Sequence, residues 1–403
     1  MKNEIDTVKG FQDFLPPESL KRRAVKQIVE KWFRLYGFSL VETPLVEFDE
    51  LMDSGSDEAV SDRFRLKDRG GRELGLRYEF TFQLARILKR NPTLKMPFKR
   101  YQIGEIFRDE PVSSNRFRQF TQCDADIVGD GSVDADAECL ALAWDILKEL
   151  KIDAVIEVNN RKLLTSLIKS VEISEVEGVM KELDKIEKIG EDQVKANLRK
   201  YASANQILTL FKLLGKDLKF YGQNSFDGVE ELEDLIESCG FYGVGVKFNP
   251  YLVRGLGYYT GNIFEFKESG KKDAIGGGGR YDKTVGEYLN KDIPAVGISF
   301  GLERVTSLAK VEIKESVKAV LISISQEKAT ISLARKLRKS GVSCIVSFEK
   351  PSKGLEYADS LGIGYVVFVG TEEVGKKMFK LKDMGSGVEK LVGEGALVKV
   401  LGK

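Results

Sequence analysis

The first part of the chain alternates helical patterns with short runs of β-forming residues. Apolar side chains recur at helical spacing in residues 20–36, which predicts an amphipathic helix. A second helix is predicted from Val133 to Leu150, with Asp134 and Asp136 at positions that are typical of helix caps. Residues 155–159, VIEVN, predict a strand. A domain of mixed helices and strands is therefore expected.

Two changes of pattern follow. Between Arg161 and about Cys239 the sequence becomes charged and helical, with few aromatic residues, and strand-like segments resume near Gly243. This block is therefore predicted to be a helical insertion in a β-containing domain. Residues 310–316, KVEIKES, lack apolar periodicity and are predicted to be a linker.

Beyond the linker, apolar runs of strand length alternate with helical patterns. The strand runs are AVLISIS, SCIVSF and YVVFVG, with ATISLARKLRKS and KGLEYADSLG between them. This order predicts an α/β domain with a largely parallel sheet. From Val317 onward, 15 Lys and Arg face 9 Asp and Glu, whereas the preceding part carries 48 against 53. A basic domain on a slightly acidic body favours a polyanion such as RNA as partner.

Composition restricts the class of protein. The 403 residues are 42% hydrophobic and 31% charged, as in a globular protein of two or three domains. No run of 18 apolar residues is present and residues 1–15 lack a signal-peptide pattern, so a cytoplasmic protein is expected. The four cysteines are scattered without a CxxC pair, which predicts reduced thiols and no zinc site. Any metal should be a hard cation such as Mg²⁺.

The chain contains no histidine. No imidazole of the protein can act as a base, an acid or a metal ligand, so the chemistry has to rest on Arg, Lys, Tyr, carboxylate and backbone groups. A reaction promoted by positioning and charge neutralisation, such as nucleotidyl transfer, is compatible with this composition.

The clearest candidate chemistry lies in residues 252–266, LVRGLGYYTGNIFEF. Arg254 stands beside Tyr258 and Tyr259 with glycines interleaved, so a guanidinium and directional hydroxyls can meet a ligand at close-approaching backbone. On the residues alone, an aromatic hairpin with a surface arginine is an equal alternative. The segment resembles the histidine-specific signature of histidyl-tRNA synthetases, which are class II aminoacyl-tRNA synthetases.

Five further segments resemble the same family in the same order. Lys99–Gly129 resembles motif 2, which binds ATP, and Ala295–Val305 resembles motif 3. Tyr36–Glu47 resembles motif 1, which forms the dimer interface in this class. Leu76–Arg86 and Ile275–Asp282 resemble the substrate-pocket segments. Together the segments cover most of residues 8–310.

The resemblance implies a fold and domain boundaries. An α+β class II catalytic domain, a mostly antiparallel sheet flanked by helices, is expected in residues 1–160 and 240–310. Residues 161–239 would be the helical insertion that reaches the tRNA acceptor arm; a helical unit that only packs on the body is the alternative. Residues 317–403 would be an α/β anticodon-binding domain. Asp126 stands where bacterial members typically carry glutamate, which suggests the archaeal and eukaryotic branch.

The implied reaction is activation of L-histidine by ATP, followed by transfer of the histidyl group to tRNA-His by a homodimer. Mg²⁺ would be bound mainly through ATP, and no membrane or DNA partner is expected. The implied catalytic residues are Arg254, Arg108 and Arg304. The implied ATP-binding residues are Arg108, Glu110, Arg116 and Arg304. The implied histidine-binding residues are Glu79, Thr81, Gln122, Asp126, Arg254, Tyr258, Tyr259 and Tyr281.

Two departures from the family pattern leave an alternative open. Gly257 stands where the family usually has an aspartate, which removes a carboxylate next to Arg254; Glu265 is a candidate to replace it. The motif 2 loop, DEPVSSN, also lacks the usual order of basic residues and proline. The principal alternative is a catalytically weak or inactive paralogue that acts as a histidine or tRNA sensor or as a regulatory subunit. A class II enzyme for another amino acid and an RNA-binding scaffold are weaker alternatives.

Overall fold

The computed structural model describes residues 5–52, 63–113, 116–254, 257–271, 273–286, 291–312 and 317–402. The chain divides into two units, Met1–Glu312 and Ile313–Lys403. Parts of three segments from the sequence analysis lie outside the described residues, namely positions 114–115 of the motif 2 loop, 255–256 of the signature and 313–316 of the linker.

The first unit is built on a large sheet and a small one. Its strands are β1 (Ser39–Leu40), β2 (Val46–Phe48), β3 (Arg65–Lys67), β4 (Glu73–Leu76), β5 (Phe98–Phe107), β6 (Gln119–Val128), β7 (Ala154–Asn160), β8 (Val246–Phe248), β9 (Asn262–Glu268), β10 (Ala274–Arg280) and β11 (Ala295–Gly301). In the described part of the chain the large sheet has the order β1-β5-β6-β11-β10-β9-β7-β8, and the small sheet has the order β2-β4-β3. The edge pairs β1–β5 and β7–β8 are parallel and the inner pairs are antiparallel, as predicted.

Helices flank this sheet and fill the interval between β7 and β8. They are α1 (Glu18–Leu35), α2 (Thr81–Arg90), α3 (Val133–Glu149), α4 (Arg161–Ser170), α5 (Val176–Leu183), α6 (Ile186–Ile189), α7 (Glu191–Leu198), α8 (Ala204–Leu214), α9 (Leu218–Gln223), α10 (Val229–Phe241) and α11 (Leu302–Leu308). The helix predicted in residues 20–36 is confirmed, and Val25, Val29 and Phe33 form its buried stripe. Helices α4 to α10 share one hydrophobic core with the sheet. The boundaries of an insertion at 161–239 stay a prediction.

The second unit contains a five-stranded sheet within its described residues. Its elements are β12 (Ala319–Ser323), α12 (Glu327–Lys339), β13 (Cys344–Ser347), α13 (Pro351–Ser360), β14 (Tyr365–Val369), α14 (Thr371–Lys376), β15 (Met378–Asp383), β16 (Glu389–Gly393) and α15 (Glu394–Leu401). All residues of β12 are buried because its two faces pack into separate cores, one with α12 and α15 and the other with α13.

The sheet of this unit is mixed rather than largely parallel. Strands β13, β12 and β14 are parallel, as the alternation of strands and helices predicts, but β15 and β16 are antiparallel and extend one edge. A short turn with Gly387 at φ +73° joins these two strands. Residues 380–384, KLKDM, lie largely on β15. The β15–β16 hairpin at the edge of the sheet is the feature that the sequence analysis did not predict.

The centre of strand β10 is packed too closely against its neighbours to accept a side chain without a shift of backbone. A Cβ on Gly278 would lie 1.9 Å from the carbonyl oxygen of Gly297 on β11 and 2.9 Å from the Phe264 ring. We expect Gly278→Ala to destabilise the first unit by about 3 kcal/mol or more, because the backbones of β10 and β11 have to separate. Urea unfolding measures the change. The matched control is Gly240→Ala on α10, where a Cβ meets nothing within 4 Å; this variant should be neutral or slightly stabilised. Equal stability of the two variants would contradict the prediction.

Candidate active site

One face of the large sheet carries a row of polar side chains and glycines. Side chains alternate along a strand, so Gln122, Asp124 and Asp126 of β6 lie on the same face. The register places Asp124 opposite Ser299 of β11, Ser299 opposite Gly277 of β10, and Gly277 opposite Glu265 of β9. Residues far apart in the sequence therefore meet on one surface, which we call the site face.

Glycines make room for functional side chains on the site face. A Cβ on Gly277 would lie 2.6 Å from Nη1 of Arg254, and one on Gly279 would lie 2.8 Å from the Tyr259 ring. A Cβ on Gly297 would lie 2.0 Å from Oδ1 of Asp126. The glycines of Ile275–Asp282 thus form a floor of bare backbone, which we call the glycine floor, and a ligand can approach this backbone closely.

A buried carboxylate lies at one end of the site face. Asp126 pairs with Nη2 of Arg100 at 2.7 Å and accepts a hydrogen bond from the Tyr281 hydroxyl. Burial raises the pKa of Asp126, while the charge of Arg100 and the hydrogen bond from Tyr281 oppose that rise. The Tyr258 ring contacts the rings of both Tyr259 and Tyr281, with centroids 4.8 and 5.7 Å away. The structure therefore brings Asp126, Tyr258, Tyr259 and Tyr281 together; their role in binding histidine stays a prediction.

Glu79 and Thr81 lie at the start of α2, beside this aromatic cluster. Oε1 of Glu79 accepts from the backbone N–H of Phe82 at 2.8 Å, and the Thr81 hydroxyl hydrogen-bonds the Tyr258 side chain. Burial raises the pKa of Glu79, and the hydrogen bonds from Thr81 and Phe82 limit that rise. These groups offer carboxylate and hydroxyl oxygens next to the tyrosines, which suits a cationic donor such as an ammonium group.

Asp124 is a second buried carboxylate on β6. It accepts from Nε2 of Gln122 at 3.0 Å, and the Ser299 hydroxyl also donates to it. Burial and the neighbouring charge of Asp126 raise the pKa of Asp124 to about 7, against the opposing charge of Arg100. Near neutral pH this carboxyl is therefore partly protonated, and it fixes the amide of Gln122.

Asp124 is expected to make stability depend on pH. The unfolded chain releases this proton near pH 3.8 and the folded protein near pH 7, so the stabilising contribution is lost as the pH rises between those values. The free energy of unfolding of Asp124→Asn, relative to that of the wild type, should therefore rise by about 1–3 kcal/mol between pH 5 and pH 8. Urea unfolding at both pH values measures this gain. Exposed Asp153→Asn is the control; a gain no larger than in the control would contradict the prediction.

Arg254 lies over the glycine floor in an unusual conformation. Its φ is +63°, in the left-handed region that non-glycine residues rarely adopt. Nη1 bonds Oε1 of Glu265 at 2.9 Å, and the Tyr259 side chain also hydrogen-bonds the guanidinium. Nε is buried without a hydrogen-bond partner in the described structure. A strained backbone, a fixed ion pair and an open donor indicate an arginine that is held for a ligand.

Glu265 takes up the position that the sequence analysis suggested for it. Gly257 removes the family's carboxylate next to Arg254, and the carboxylate of Glu265 on the facing strand lies within hydrogen-bond distance of the same guanidinium.

The other arginines lie at one end of the strands. Arg108 follows β5 and donates from Nε to the Tyr78 carbonyl at 3.2 Å and from Nη2 to Oε1 of Gln122 at 3.3 Å. In the loop before β6, Arg116 pairs with Glu110 at 3.4 Å. In the first turn of α11, Nη2 of Arg304 pairs with Asp273 at 3.1 Å. Since β5 and β11 end where β6 begins, these cations share the end of the sheet opposite Asp126.

Arg280 fixes the segment that carries Tyr281. Its guanidinium bonds Oδ2 of Asp136 at 3.0 Å and the carbonyls of Asp130 and Ser132 at 3.0 and 2.7 Å. The expectation that Asp136 caps α3 is wrong: Ser132 is the N-cap residue, and the Asp136 carboxylate is buried against Arg280. Asp134 accepts from the Ser238 hydroxyl of α10 instead of capping. The two acids attach α3 to neighbouring elements.

Sequence reasoning missed Arg100, Asp124 and Ser299. Asp124 could have been found, because QCDADIVG has a polar residue at every second position and all of them must share a face. Arg100 gives a weaker signal, a charge inside a predicted strand, which is costly unless it is paired. Ser299 has no local signal, since its role depends on the register of β6 with β11.

The described residues contain no group of three or more His, Cys, Asp or Glu side chains that could hold a metal ion. Among the described helices, none combines the length and apolar character that a membrane span requires.

Comparison with known proteins shows the family to which the chain belongs. The family model described as histidyl-tRNA synthetase matches residues 10–305, and the model described as anticodon binding domain matches residues 318–403. The chain belongs to the histidyl-tRNA synthetase family. The class II fold and the C-terminal anticodon-binding domain that the resemblance implied are thereby confirmed.

Relatives in the histidyl-tRNA synthetase family resemble the chain over its whole length. Histidine–tRNA ligase 1 of Bacillus cereus is 38% identical, covering 96% of this chain and 97% of the relative. Histidine–tRNA ligase 2 of Shouchella clausii is 34% identical, covering 97% and 99%. The crystal structure of histidyl-tRNA synthetase from Nostoc sp. PCC 7120 superposes with a TM-score of 0.86 at 31% identity, covering 100% and 99%.

These relatives correct one expectation. Asp126 suggested the archaeal and eukaryotic branch, but the relatives are bacterial, so that inference is not borne out. One carboxylate in place of another is a local change, and the Asp126 side chain is placed by Arg100 and Tyr281 of this chain. A single position of this kind carries little information about descent.

Proposed function

We propose that the chain is a histidine–tRNA ligase, which activates L-histidine with ATP and transfers the histidyl group to the 3′ end of tRNA-His. The observation that carries this proposal is the site face itself. A buried carboxylate with tyrosines lies at one end, arginines lie at the other, and Arg254 stands over a glycine floor between them. This arrangement suits an aminoacyl-adenylate that lies along the floor, with its side chain at Asp126 and its phosphates towards Arg108.

The activation step needs positive charge at one phosphate. The histidine carboxylate attacks the α-phosphate, the bond to the leaving pyrophosphate breaks, and negative charge gathers on the equatorial oxygens. Arg108 and Arg254 are the cations that we assign to this charge, and Arg254 is also assigned to the substrate carboxylate. Fixed donors of this kind typically contribute about 3–4 kcal/mol each to transition-state stabilisation. Arg116 and Arg304 are assigned to the β- and γ-phosphates, and Glu110 to the edge of the adenine.

Specificity for histidine follows from the Asp126 end. A carboxylate accepts a hydrogen bond from an imidazole N–H, and the Tyr259 hydroxyl is assigned to the second ring nitrogen. Arg100 and Tyr281 hold Asp126 in place, so the acceptor is fixed before the substrate binds. Glu79, Thr81 and Gln122 are assigned to the α-ammonium group, and Tyr258 and Tyr281 line the pocket. A buried polar pocket of this kind typically discriminates against apolar amino acids by a factor on the order of 10⁴ in kcat/KM.

Magnesium would accompany the nucleotide. Mg²⁺ takes oxygen ligands, which the phosphates of ATP would mainly supply, and the Asp273 carboxylate beside Arg304 would be a further oxygen donor at the arginine end. The ion would neutralise charge on the leaving pyrophosphate, while the residues of this chain orient the α-phosphate. ATP use itself is general for the class II family to which the chain belongs.

A homodimer and a cytoplasmic location complete the proposal. The motif 1 region exposes apolar side chains, Leu40 by 55%, Leu45 by 45% and Val46 by 43%, which a second copy of the chain would cover. The anticodon-binding domain and its basic composition support tRNA-His as the polynucleotide partner. We assign the helices of residues 161–239 to the acceptor arm of the same tRNA.

Histidine-dependent exchange of labelled pyrophosphate into ATP tests the proposal, with the other nineteen amino acids as controls. Exchange with histidine alone is the expected result. Absence of exchange in folded protein that still binds histidine would contradict it and would favour the sensor or regulatory alternative. Gly257→Asp would then show whether the missing carboxylate is the cause.

A further inference from the structure

A chain of ion pairs leads from Arg254 to the helices between β7 and β8. Oε1 of Glu265 bonds Arg254 at 2.9 Å, and Oε2 of the same carboxylate lies 3.2 Å from Nζ of Lys267. Nζ of Lys267 also lies 3.0 Å from Glu157 on β7 and 2.8 Å from Glu187 on α6. One lysine therefore joins three carboxylates, one of which holds the arginine of the site face.

Lys267 separates two like charges. Glu157 and Glu265 are directly opposite each other in the register of β7 and β9, and facing carboxylates repel. Lys267 lies two residues after Glu265 on the same face and bonds both. Its side chain is only 7% exposed, so water screens these interactions weakly. Burial lowers the pKa of Lys267, but the bonds to Glu187 and Glu157 outweigh this effect and raise it, so the ammonium stays charged.

We propose that Lys267 is a positioning residue for Arg254, acting through Glu265, and that Glu187 anchors Lys267 from α6. The inference rests on the role proposed for Arg254. Lys267 occupies Oε2 of Glu265, so Oε1 stays directed at Nη1 of Arg254 and the open Nε donor keeps its direction. The position of α6, and hence of the helices between β7 and β8, is thereby coupled to that of Arg254, the cation assigned to the reacting phosphate.

Loss of Lys267 should affect the transition state more than substrate binding. Without the ammonium, Glu157 and Glu265 face each other unshielded, and Glu265 has to turn away or take up a proton. Arg254 then loses its fixed partner. Since a preorganised cation contributes mainly where charge develops, kcat should fall while the KM values change little. Removing Glu157 as well should relieve the repulsion and restore Glu265.

The experiment measures pyrophosphate exchange by a set of variants. Lys267→Met tests the role of Lys267, and the double variant Lys267→Met/Glu157→Gln, compared with Glu157→Gln alone, tests whether removing the repulsion restores activity. Active sites are titrated by the adenylate burst, so that loss of folded enzyme is not counted as loss of rate. We expect kcat to fall about 10- to 50-fold in Lys267→Met, with KM for histidine and ATP within threefold. The double variant should recover to within about fivefold of its reference. Glu187→Gln should show a smaller fall in kcat, about two- to fivefold.

A second readout does not need turnover. Calorimetry with a sulfamoyl analogue of histidyl-adenylate should show about tenfold weaker binding to Lys267→Met and recovery in the double variant. An unchanged kcat and affinity in Lys267→Met, or a fall that the loss of Glu157 does not reverse, would overturn the inference. A wild type that binds the analogue without exchanging pyrophosphate would overturn the proposed catalytic function alone, and the analogue series would still decide on Lys267. A wild type that does neither would overturn both.

Discussion

Arg254→Gln should lower the kcat of histidine-dependent pyrophosphate exchange by on the order of 10³, with a much smaller change in the KM for histidine. The glutamine keeps hydrogen-bonding capacity but removes the charge that we assign to the α-phosphate. The native side chain is held by a bond of 2.9 Å to Glu265 and by a backbone at φ +63°, so another cation cannot easily take its place. Single-turnover adenylation measured by quenched flow separates this loss from weaker binding.

Two further variants make the Arg254 result interpretable. Arg254→Lys retains the charge without the planar fork. Its kcat should therefore lie between those of the wild type and the glutamine variant, roughly 10² below the wild type. Exposed Arg90→Gln on α2 is the matched control and should leave exchange unchanged. A loss of less than tenfold in Arg254→Gln, in protein that unfolds at the wild-type temperature, would show that Arg254 does not act on the phosphate.

Asp126→Asn should lower kcat/KM for histidine by on the order of 10³. In the proposed binding mode the carboxylate accepts an N–H from the ring, whereas the amide presents a donor on one side and has no charge. Steady-state exchange as a function of histidine concentration measures the loss, and isothermal titration with histidine separates binding from rate.

A second variant is needed at this position because Arg100 is buried against Asp126. Asp126→Asn leaves that guanidinium without its counter-charge, which destabilises a folded protein by about 3–5 kcal/mol in comparable cases. Tyr281→Phe keeps the ion pair and removes only the hydroxyl that bonds Asp126, so it should fold normally and lose about tenfold in kcat/KM. Unchanged kcat/KM in both variants would place imidazole recognition elsewhere.

The sequence predicts those parts of the fold whose signal is local. The stripe of Val25, Val29 and Phe33 is sufficient for α1, and a wholly apolar run is sufficient for β12. The β15–β16 hairpin was missed because charged edge strands do not give a continuous apolar run. Family resemblance, rather than periodicity, supplied the antiparallel arrangement of the large sheet.

The site was predictable only as far as motifs and alternation extend. Asp126 and Gln122 were found within a matched motif, but the ion pair of Asp126 with Arg100 depends on the register of β5 and β6. Asp136 was misassigned as a cap because its partner, Arg280, is 144 residues away in the sequence. The network of Lys267 was likewise missed, since its carboxylates come from β7, β9 and α6. Pairing register and long-range charge contacts are properties of the assembled sheet.

The pocket that we propose for an imidazole, around Asp126 and Tyr281, belongs to a protein that has no imidazole of its own. In nuclear magnetic resonance spectra of a complex with ring-labelled ¹⁵N-histidine, every imidazole nitrogen signal therefore comes from the substrate, even when large amounts of protein are present. The tautomer and the ionisation of the bound ring can be followed against pH without mutating or labelling the protein. Imidazole signals in such spectra would therefore report only on the bound amino acid, because the protein contributes none of its own.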